Sequence, residues 1–223
     1  MRAPADQETT DVLRVLRERL RAGSTPGCRT DGLRVALSSV YGLNAMSLAR
    51  LADETGVSKS GLFTHWPDKE ILQLAIVEHA ARQWTDEIVA PALAVPRGVR
   101  RLWALHEGRL AYYTSRALPG GCFFVASRAE FDDRPGPVRD ALTTAIDAWW
   151  DFIQRTAQQA VELGELREGT DAAQLAFEID ALGEAAVTSA RLHSLEQGAV
   201  FARRAVLDRL RALSPTPHLL PGE

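Results

Sequence analysis

The two lysines of the chain, Lys59 and Lys69, both fall in one short stretch, GVSKSGLFTHWPDKE (56–70). All the other Lys and Arg residues are arginines. Lysine is a compact, flexible point charge that suits contact with phosphate. The serine and threonine hydroxyls between the two lysines can bond to phosphates or to base edges. These residue types therefore favour binding to a polyanion.

The sequence offers little for enzymatic chemistry. It contains no HExxH, GxSxG, P-loop or GxGxxG motif. Its two cysteines, Cys28 and Cys122, are too few for a disulfide framework or a four-ligand zinc site. The histidines have no metal-ligand spacing with these cysteines; they are His65, His79, His106, His193 and His218. We therefore expect no enzymatic activity, no cofactor and no metal site.

The composition is that of an ordinary globular protein. Hydrophobic residues make up 46% and charged residues 25%, and the net charge is -3 with an isoelectric point near 6.0. This slightly negative net charge does not by itself indicate a nucleic-acid partner, although a local basic patch can lie on an acidic protein. No segment resembles a secretory signal or a membrane span. With so few cysteines, the protein is expected in the cytoplasm, without a membrane partner.

Nearly every long segment repeats its apolar residues at spacings of three and four, and none alternates as a strand does. The predicted fold is therefore all-α. Glycine and proline clusters divide the helices, which are expected at 69–89, 98–115, 123–131, 137–163, 171–195 and 198–212. Asp68 can cap the first of these helices. The proline-rich end, SPTPHLLPGE, is expected to be frayed.

Two short helices are predicted between Ser47 and Trp66. Ser47 can cap the first, because its hydroxyl can accept from a backbone N–H that is unpaired at a helix start. Gly56 suits the left-handed residue that ends this helix. Ser58 can cap the second helix, which is expected at about 59–65.

The second of these helices has an apolar inner side and a small outer side. Leu62 and Trp66 are four residues apart and share the inner face. Gly61 costs roughly 1 kcal/mol relative to alanine inside a helix, and close approach to a partner surface would offset that cost. The outward residues are Ser60, Phe63 and Thr64. This is the helix-turn-helix pattern, in which the second helix enters the major groove, although spacing alone leaves a purely structural helix pair open.

The segment NAMSLARLADETGVSKSGLFTHWPDKEILQLAIVEHA (44–80) resembles the DNA-binding domain of the tetracycline-repressor (TetR) family of bacterial transcription regulators. Further on, GGCFFVASRAEFDDRPGPVRDAL (120–142) resembles the C-terminal domain of one TetR subfamily. The resemblance implies an all-α homodimer with an N-terminal three-helix helix-turn-helix domain and a C-terminal domain for effector binding and dimerisation. The expected boundaries are 1–28 (uncertain segment), 29–85 (helix-turn-helix), 86–213 (effector binding and dimerisation) and 214–223 (tail).

By position, the resemblance assigns DNA contacts to seven residues, and Ser47 and Phe63 complete the predicted DNA-binding set. The seven are Ser58, Lys59, Ser60, Gly61, Thr64, His65 and Lys69.

Three positions depart from the family pattern. Phe63 stands where the family often has a tyrosine whose hydroxyl touches phosphate. Trp66 replaces a common phenylalanine and is expected to fill the same core site. Upstream, Ser38 stands at a position that is usually bulky, and with Ser39 it is expected to weaken the packing of the first helix. Whether 1–42 forms a normal first helix stays open.

The middle helices carry many aromatic side chains and a few polar groups, which is the usual composition of a ligand pocket. The candidate effector contacts are Trp103, His106, Tyr112, Tyr113, Phe123, Phe124, Glu130 and Phe177. The helices at 137–163 and 171–195 are the dimerisation candidates. The candidate interface residues are Trp149, Trp150, Ile153, Leu182, Ala186 and Ala190. In both cases the same residues could instead fill an ordinary core.

The sequence is therefore interpreted as a transcription regulator, most simply a repressor, that binds a palindromic double-stranded operator as a homodimer and responds to an unidentified small molecule. One alternative is a constitutive DNA binder without an effector. The other is a small all-α ligand-binding or enzymatic protein with a vestigial helix-turn-helix.

Overall fold

The structure is a computed structural model that describes residues 26–55, 58–190 and 193–222. All regular structure within these ranges is helical, which confirms the all-α prediction. The predicted N-terminal segment lies almost entirely outside the described residues. The α-helices, in order, are α1 (Pro26–Tyr41), α2 (Leu48–Thr55), α3 (Lys59–His65), α4 (Lys69–Trp84), α5 (Ala90–Leu93), α6 (Val99–Thr114), α7 (Phe123–Phe131), α8 (Pro137–Glu162), α9 (Ala172–Ser189) and α10 (Leu195–Leu213).

Three details differ from the predicted helix pattern. The helix expected at 171–195 ends earlier, at Ser189. The helix expected at 69–89 changes to a π-helical turn at Thr85–Val89 before α5. The last helix begins at Leu195, earlier than expected, because Ser194 caps it: the Ser194 hydroxyl accepts from the backbone N–H of Gln197 at 3.2 Å. No helix in the described ranges is long and apolar enough to cross a membrane.

Residues 214–220 pack against the protein, which differs from the frayed tail expected from the sequence. Pro217–Leu219 forms a 3₁₀ turn, and the Leu220 side chain is buried. The Ser214 hydroxyl donates to the carbonyl of Glu165 at 2.7 Å, which fixes the point where the tail leaves α10. Burial of an apolar side chain stabilises the tail where proline content alone suggested disorder.

The described residues form two compact units. The N-terminal unit comprises 26–83 and 117–144, and the C-terminal unit comprises 84–116 and 145–222. The chain first passes from one unit to the other between residues 83 and 84, close to the predicted domain boundary after residue 85. The segment 117–144, which the sequence analysis included in the region 86–213, packs with the N-terminal unit. A periodicity argument could not reveal this, because it locates a helix without identifying its neighbours.

In the N-terminal unit, α1 accommodates both serines that were expected to weaken it. Ser38 and Ser39 are fully buried, and their hydroxyls donate to the carbonyls of Arg34 and Ala36, each at 2.8 Å. The Ser39 oxygen also accepts from the backbone N–H of Gly120 at 3.0 Å. A Cβ at Gly120 would lie only 1.9 Å from the Ser39 carbonyl oxygen. A small residue is needed here because backbone packs directly on backbone.

The C-terminal unit is built around a buried ion pair between Arg109 on α6 and Asp180 on α9. The Arg109 guanidinium donates to the Asp180 carboxylate at 2.8 Å and to the Tyr113 hydroxyl, also at 2.8 Å. The indole N–H groups of Trp149 and Trp150 donate to the same carboxylate at 2.9 and 2.6 Å. A buried charge is tolerated only when it is paired and hydrogen-bonded, and Asp180 accepts three such bonds.

Space for this guanidinium depends on Gly183, one turn after Asp180 on α9. A Cβ at Gly183 would lie 2.6 to 2.9 Å from Arg109 side-chain atoms. The guanidinium also lies 5.8 Å from the ring centroids of Trp84 and Trp149, within cation–π range. The aromatic residues of α6 and α8 therefore pack around a protein cation.

His106, also on α6, is buried without a hydrogen bond. Its side chain is 1% exposed, and neither ring nitrogen has a hydrogen-bond partner. The Ala202 carbonyl lies near the ring and slightly favours the protonated form, but it does not meet hydrogen-bond geometry. Burial, followed by the positive charges of Arg109 and Arg203, lowers the pKa of His106 to about 3. The imidazole is therefore neutral at physiological pH.

This shift predicts destabilisation by acid. A histidine in the unfolded chain titrates near pH 6.5, whereas folded His106 stays neutral down to about pH 3. Between these values the unfolded state binds a proton that the folded state does not, so stability falls as the pH falls. Between pH 7 and pH 5 the wild type should lose about 2 kcal/mol more unfolding free energy than His106→Leu.

Denaturant titrations of both proteins at several pH values measure this difference. His218→Leu, which replaces an exposed histidine, is the matched control. Parallel pH profiles for the wild type and His106→Leu would contradict the neutral, buried assignment.

Candidate nucleic-acid interface

The predicted caps of α2 and α3 are present. The Ser47 hydroxyl accepts from the backbone N–H of Arg50 at 3.2 Å. Ser58 has extended backbone angles (φ -62°, ψ 142°), and its hydroxyl accepts from the backbone N–H of Gly61 at 3.2 Å. The predicted turn residues Gly56 and Val57 lie outside the described residues. Each of these caps pairs one of the N–H groups that a helix start leaves unpaired.

The inner side of α3 is anchored differently from the prediction. Leu62 is buried as expected. Trp66 is only partly buried, and its ring stacks against the Arg34 guanidinium, whose carbon lies 4.2 Å from the ring centroid. Arg34 itself is buried in α1. Burial, with the charge of Arg82, lowers the pKa of Arg34 to about 10. Trp66 therefore covers a buried cation instead of filling an apolar core site.

Sequence reasoning missed Arg34. It stands between Leu33 and Val35 in a run that reads as an apolar helix face. An arginine there predicts a solvated side chain, because charged residues are rarely fully buried. Its contact with the Trp66 ring, thirty-two positions later, could not be foreseen from the sequence around it.

The outer face of α3 is exposed and compact. Ser60, Phe63, Thr64 and His65 are all exposed. The Ser58 and Ser60 hydroxyl oxygens are 3.3 Å apart, and the Thr64 hydroxyl donates to the Ser60 carbonyl at 3.1 Å. The backbone of Lys59 lies in the first turn of α3, but its side chain lies outside the described residues.

Lys69 begins α4 next to a third cap, Asp68. The Asp68 carboxylate accepts from the backbone N–H of Ile71 at 2.8 Å, as the sequence predicted for this helix start. The Lys69 ammonium is exposed and donates to the side-chain oxygen of Asn44 at 3.3 Å. An ammonium has three donors, so this bond leaves two that can reach an anion.

The predicted effector residues divide between the two units. In the C-terminal unit, the His106 ring lies 6.1 Å from Trp103, and Tyr112 lies 6.4 Å from Tyr113. Phe177 lies on the surface of α9 with 59% of its area exposed. No three His, Cys, Asp or Glu side chains within the described ranges come together as a metal site requires.

In the N-terminal unit, Phe123 and Phe124 pack edge to face with centroids 5.2 Å apart. The Glu130 carboxylate accepts from the backbone N–H of Asn44 at 2.9 Å. A pocket residue was expected here, but the carboxylate contacts the turn that precedes α2.

The residues proposed for the dimer interface are mostly inside their own chain. Trp149, Ile153 and Ala186 are buried, so a second chain could not reach their side chains. Leu182 packs on a cluster formed by Leu110, Ala186, Ala199 and Ala202. Ala190 is partly buried and Trp150 partly exposed, but the indole N–H of Trp150 is bound to Asp180. This burial favours the alternative that the sequence left open, in which these residues fill the core of their own subunit, because small and aromatic residues mark close packing without specifying the partner.

The sequence matches two protein families, one in the N-terminal and one in the C-terminal part of the chain. The family "Bacterial regulatory proteins, tetR family" matches residues 35–76, and the family "Tetracyclin repressor-like, C-terminal domain" matches residues 98–206. No curated protein matches the sequence significantly.

Solved structures share this fold. A TetR transcriptional regulator from Chloroflexus aurantiacus is 27% identical with a TM-score of 0.69, covering 88% of this chain and 96% of its own. A TetR-family regulator from Cytophaga hutchinsonii is 17% identical with a TM-score of 0.71, covering 95% and 99%. AibR, solved with isovaleryl coenzyme A and operator DNA, is 18% identical with a TM-score of 0.60, covering 91% and 98%.

The capped α2–α3 pair with its exposed polar face, and family matches to both parts of the sequence, lead to one conclusion: the chain belongs to the TetR family of DNA-binding transcription regulators.

Proposed function

We propose that the protein is a non-enzymatic, ligand-responsive transcriptional repressor that acts in the cytoplasm as a homodimer on a palindromic operator. The observation that carries this proposal is α3, a seven-residue helix capped by Ser58 and anchored by Leu62. Its outer face is small enough for close approach to base edges. In AibR, the related fold has been solved with both operator DNA and an acyl-coenzyme A.

The proposed DNA contacts follow from the chemistry of this face. The major groove admits an α-helix, and serine or threonine hydroxyls can bond to either donor or acceptor groups there. Phe63, which is half exposed, has no hydroxyl to offer a phosphate, but it can make an apolar contact with a thymine methyl. Lys69 supplies a phosphate contact on the flanking backbone, which fixes position without reading sequence.

The helix caps provide a matched test of DNA binding. Ser58→Ala and Ser194→Ala each remove a hydroxyl that accepts from a backbone N–H at 3.2 Å in the first turn of a helix. Each should cost about 1 kcal/mol of stability. Only Ser58→Ala should also weaken DNA binding, because only α3 presents its first turn to the groove. Fluorescence anisotropy with a duplex selected from a random pool by the wild type measures the affinity.

The logarithm of the wild-type binding constant should also fall linearly with the logarithm of salt concentration, because phosphate contacts release counterions. Equal duplex affinity for the two variants would contradict the placement of α3. Failure of the folded wild type to select any duplex would remove the regulator function and favour the vestigial helix-turn-helix.

The proposed homodimer uses exposed apolar residues of α9 and α10. Phe177 is 59%, Val200 55% and Phe201 61% exposed, although the two helices pack closely against each other. Large apolar side chains that stay exposed on a surface are candidates for an interaction site. A two-fold dimer would place its two α3 helices on half-sites about 34–36 Å apart. These residues replace the buried Trp149, Ile153 and Ala186 as interface candidates.

Phe201→Glu should therefore convert the dimer to a monomer, because a charge would be desolvated at the interface. Size-exclusion chromatography with light scattering measures the mass. Leu93→Glu is the matched control, since Leu93 is similarly exposed on α5, and it should remain dimeric. A dimer that persists in Phe201→Glu would rule out this surface.

The effector is proposed to contact His106. Buried polar groups in proteins nearly always have hydrogen-bond partners, and His106 has none. A neutral imidazole can donate from one nitrogen and accept at the other, which suits a polar, uncharged group of a small molecule. The neighbouring Trp103 ring would supply apolar contact.

A compound that raises the unfolding midpoint by binding the native state should also release the selected duplex. The midpoint rise should be lost in His106→Leu, whose own midpoint supplies the baseline. If a compound library produces no midpoint shift, the constitutive DNA binder becomes the better description. If the compound still raises the unfolding midpoint of His106→Leu, the effector does not bind at His106.

A further inference from the structure

The turn between α1 and α2, residues 42–46, is held by polar contacts from two sides. On one side is Glu130, near the end of α7. On the other side are two residues of α4, Lys69 and Gln73. All of these residues belong to the N-terminal unit. The turn therefore lies between α7 and the helix that carries the proposed phosphate contact.

The Glu130 side of the turn leaves no spare room. Its carboxylate accepts from the backbone N–H of Asn44 at 2.9 Å. A Cβ at Gly42 would lie 2.0 Å from the other carboxylate oxygen. Gly42 also has φ +91°, a conformation that favours glycine. The carboxylate thus fills the space that any other residue at 42 would occupy.

The α4 side of the turn carries two further bonds. The Lys69 ammonium donates to the Asn44 side-chain oxygen at 3.3 Å, and the buried Gln73 amide donates to the Leu43 carbonyl at 3.0 Å. Lys69 and Gln73 are four residues apart, so they share one face of α4. Through these bonds, the position of the turn sets the position of the Lys69 side chain.

We propose that Glu130 is a positioning residue for DNA binding: by fixing the backbone of Asn44, it holds Lys69 where its ammonium can meet a DNA phosphate. This inference rests on the proposed function, because Lys69 must be a DNA contact. Glu130 itself touches no DNA. Its role is to reduce the number of conformations that Lys69 must lose on binding, since a long cationic side chain carries considerable rotamer entropy.

Whether loss of the Glu130 carboxylate weakens or strengthens DNA binding distinguishes a positioning role from a simple charge effect. DNA is a polyanion, so removal of a carboxylate from the protein strengthens binding if charge alone matters. Removal of a positioning carboxylate weakens binding instead. Asp133 provides the charge-only comparison, because it lies just beyond α7 in the same unit and its side chain is 84% exposed.

The experiment measures affinity for the wild-type-selected duplex at one fixed salt concentration. Glu130→Ala should bind about three- to tenfold more weakly than the wild type, the range expected for loss of roughly one ordinary hydrogen bond. Glu130→Gln should recover most of the affinity, because an amide oxygen still accepts from Asn44. Asp133→Ala should bind equally or slightly more tightly.

A double-mutant cycle tests the route through Lys69. Lys69→Ala should weaken binding and reduce the salt slope by about one. In the Lys69→Ala background, Glu130→Ala should have little further effect. Asn44→Ala keeps the backbone N–H but removes the acceptor for Lys69, so it should reproduce most of the Glu130→Ala loss even if Glu130→Ala folds poorly.

The outcomes are distinguishable. If the wild type selects no duplex, the proposed function fails and this inference fails with it. If the wild type binds but Glu130→Ala binds as tightly as Asp133→Ala, only the positioning role is overturned. The positioning role is also overturned if Glu130→Ala reduces duplex affinity as much in the Lys69→Ala background as it does in the wild type. Weaker binding that Glu130→Gln rescues and that vanishes without Lys69 supports it.

Discussion

Burial of a guanidinium is the constraint around which each unit is organised. Arg34 and Arg109 are both buried, and both lie against tryptophan rings. Removing such a charge from water costs several kcal/mol, which is recovered only where partners are placed closely around it. In the C-terminal unit this requirement fixes Asp180, Tyr113 and Gly183 around Arg109. These groups cannot shift independently without leaving a charge unpaired.

In the N-terminal unit the same constraint reaches α3, the helix proposed to contact DNA. A seven-residue helix is too short to be stable in isolation, so α3 must be fixed at its ends. Ser58 pairs an N–H at its start, and the backbone N–H of Trp66 closes its end on the Leu62 carbonyl at 2.9 Å. Because the Trp66 ring also covers Arg34, the end of α3 is tied to α1. The outer face can then remain small and polar, since it contributes nothing to holding the helix.

The sequence was sufficient for features that depend on local chemistry. The caps at Ser47, Ser58 and Asp68 follow from hydroxyl or carboxylate residues before an apolar repeat, and all three form. Features that depend on distant partners were not accessible. Glu130 reads as a polar tip of a pocket, yet its carboxylate meets a backbone N–H eighty-six positions away. Ala186 and Phe177 share one helix, and periodicity could not tell which of them faces the interior and which the solvent.

The contact between Ser39 and Gly120 has a mechanical consequence. Where two side chains meet, a change of rotamer can absorb a small displacement. Here main-chain atoms of α1 and of the 118–121 turn are in direct contact, and main-chain atoms have no rotamers to change. The spacing between α1 and the segment that leads into α7 is therefore stiff, so a displacement of either would be passed to the other almost undiminished.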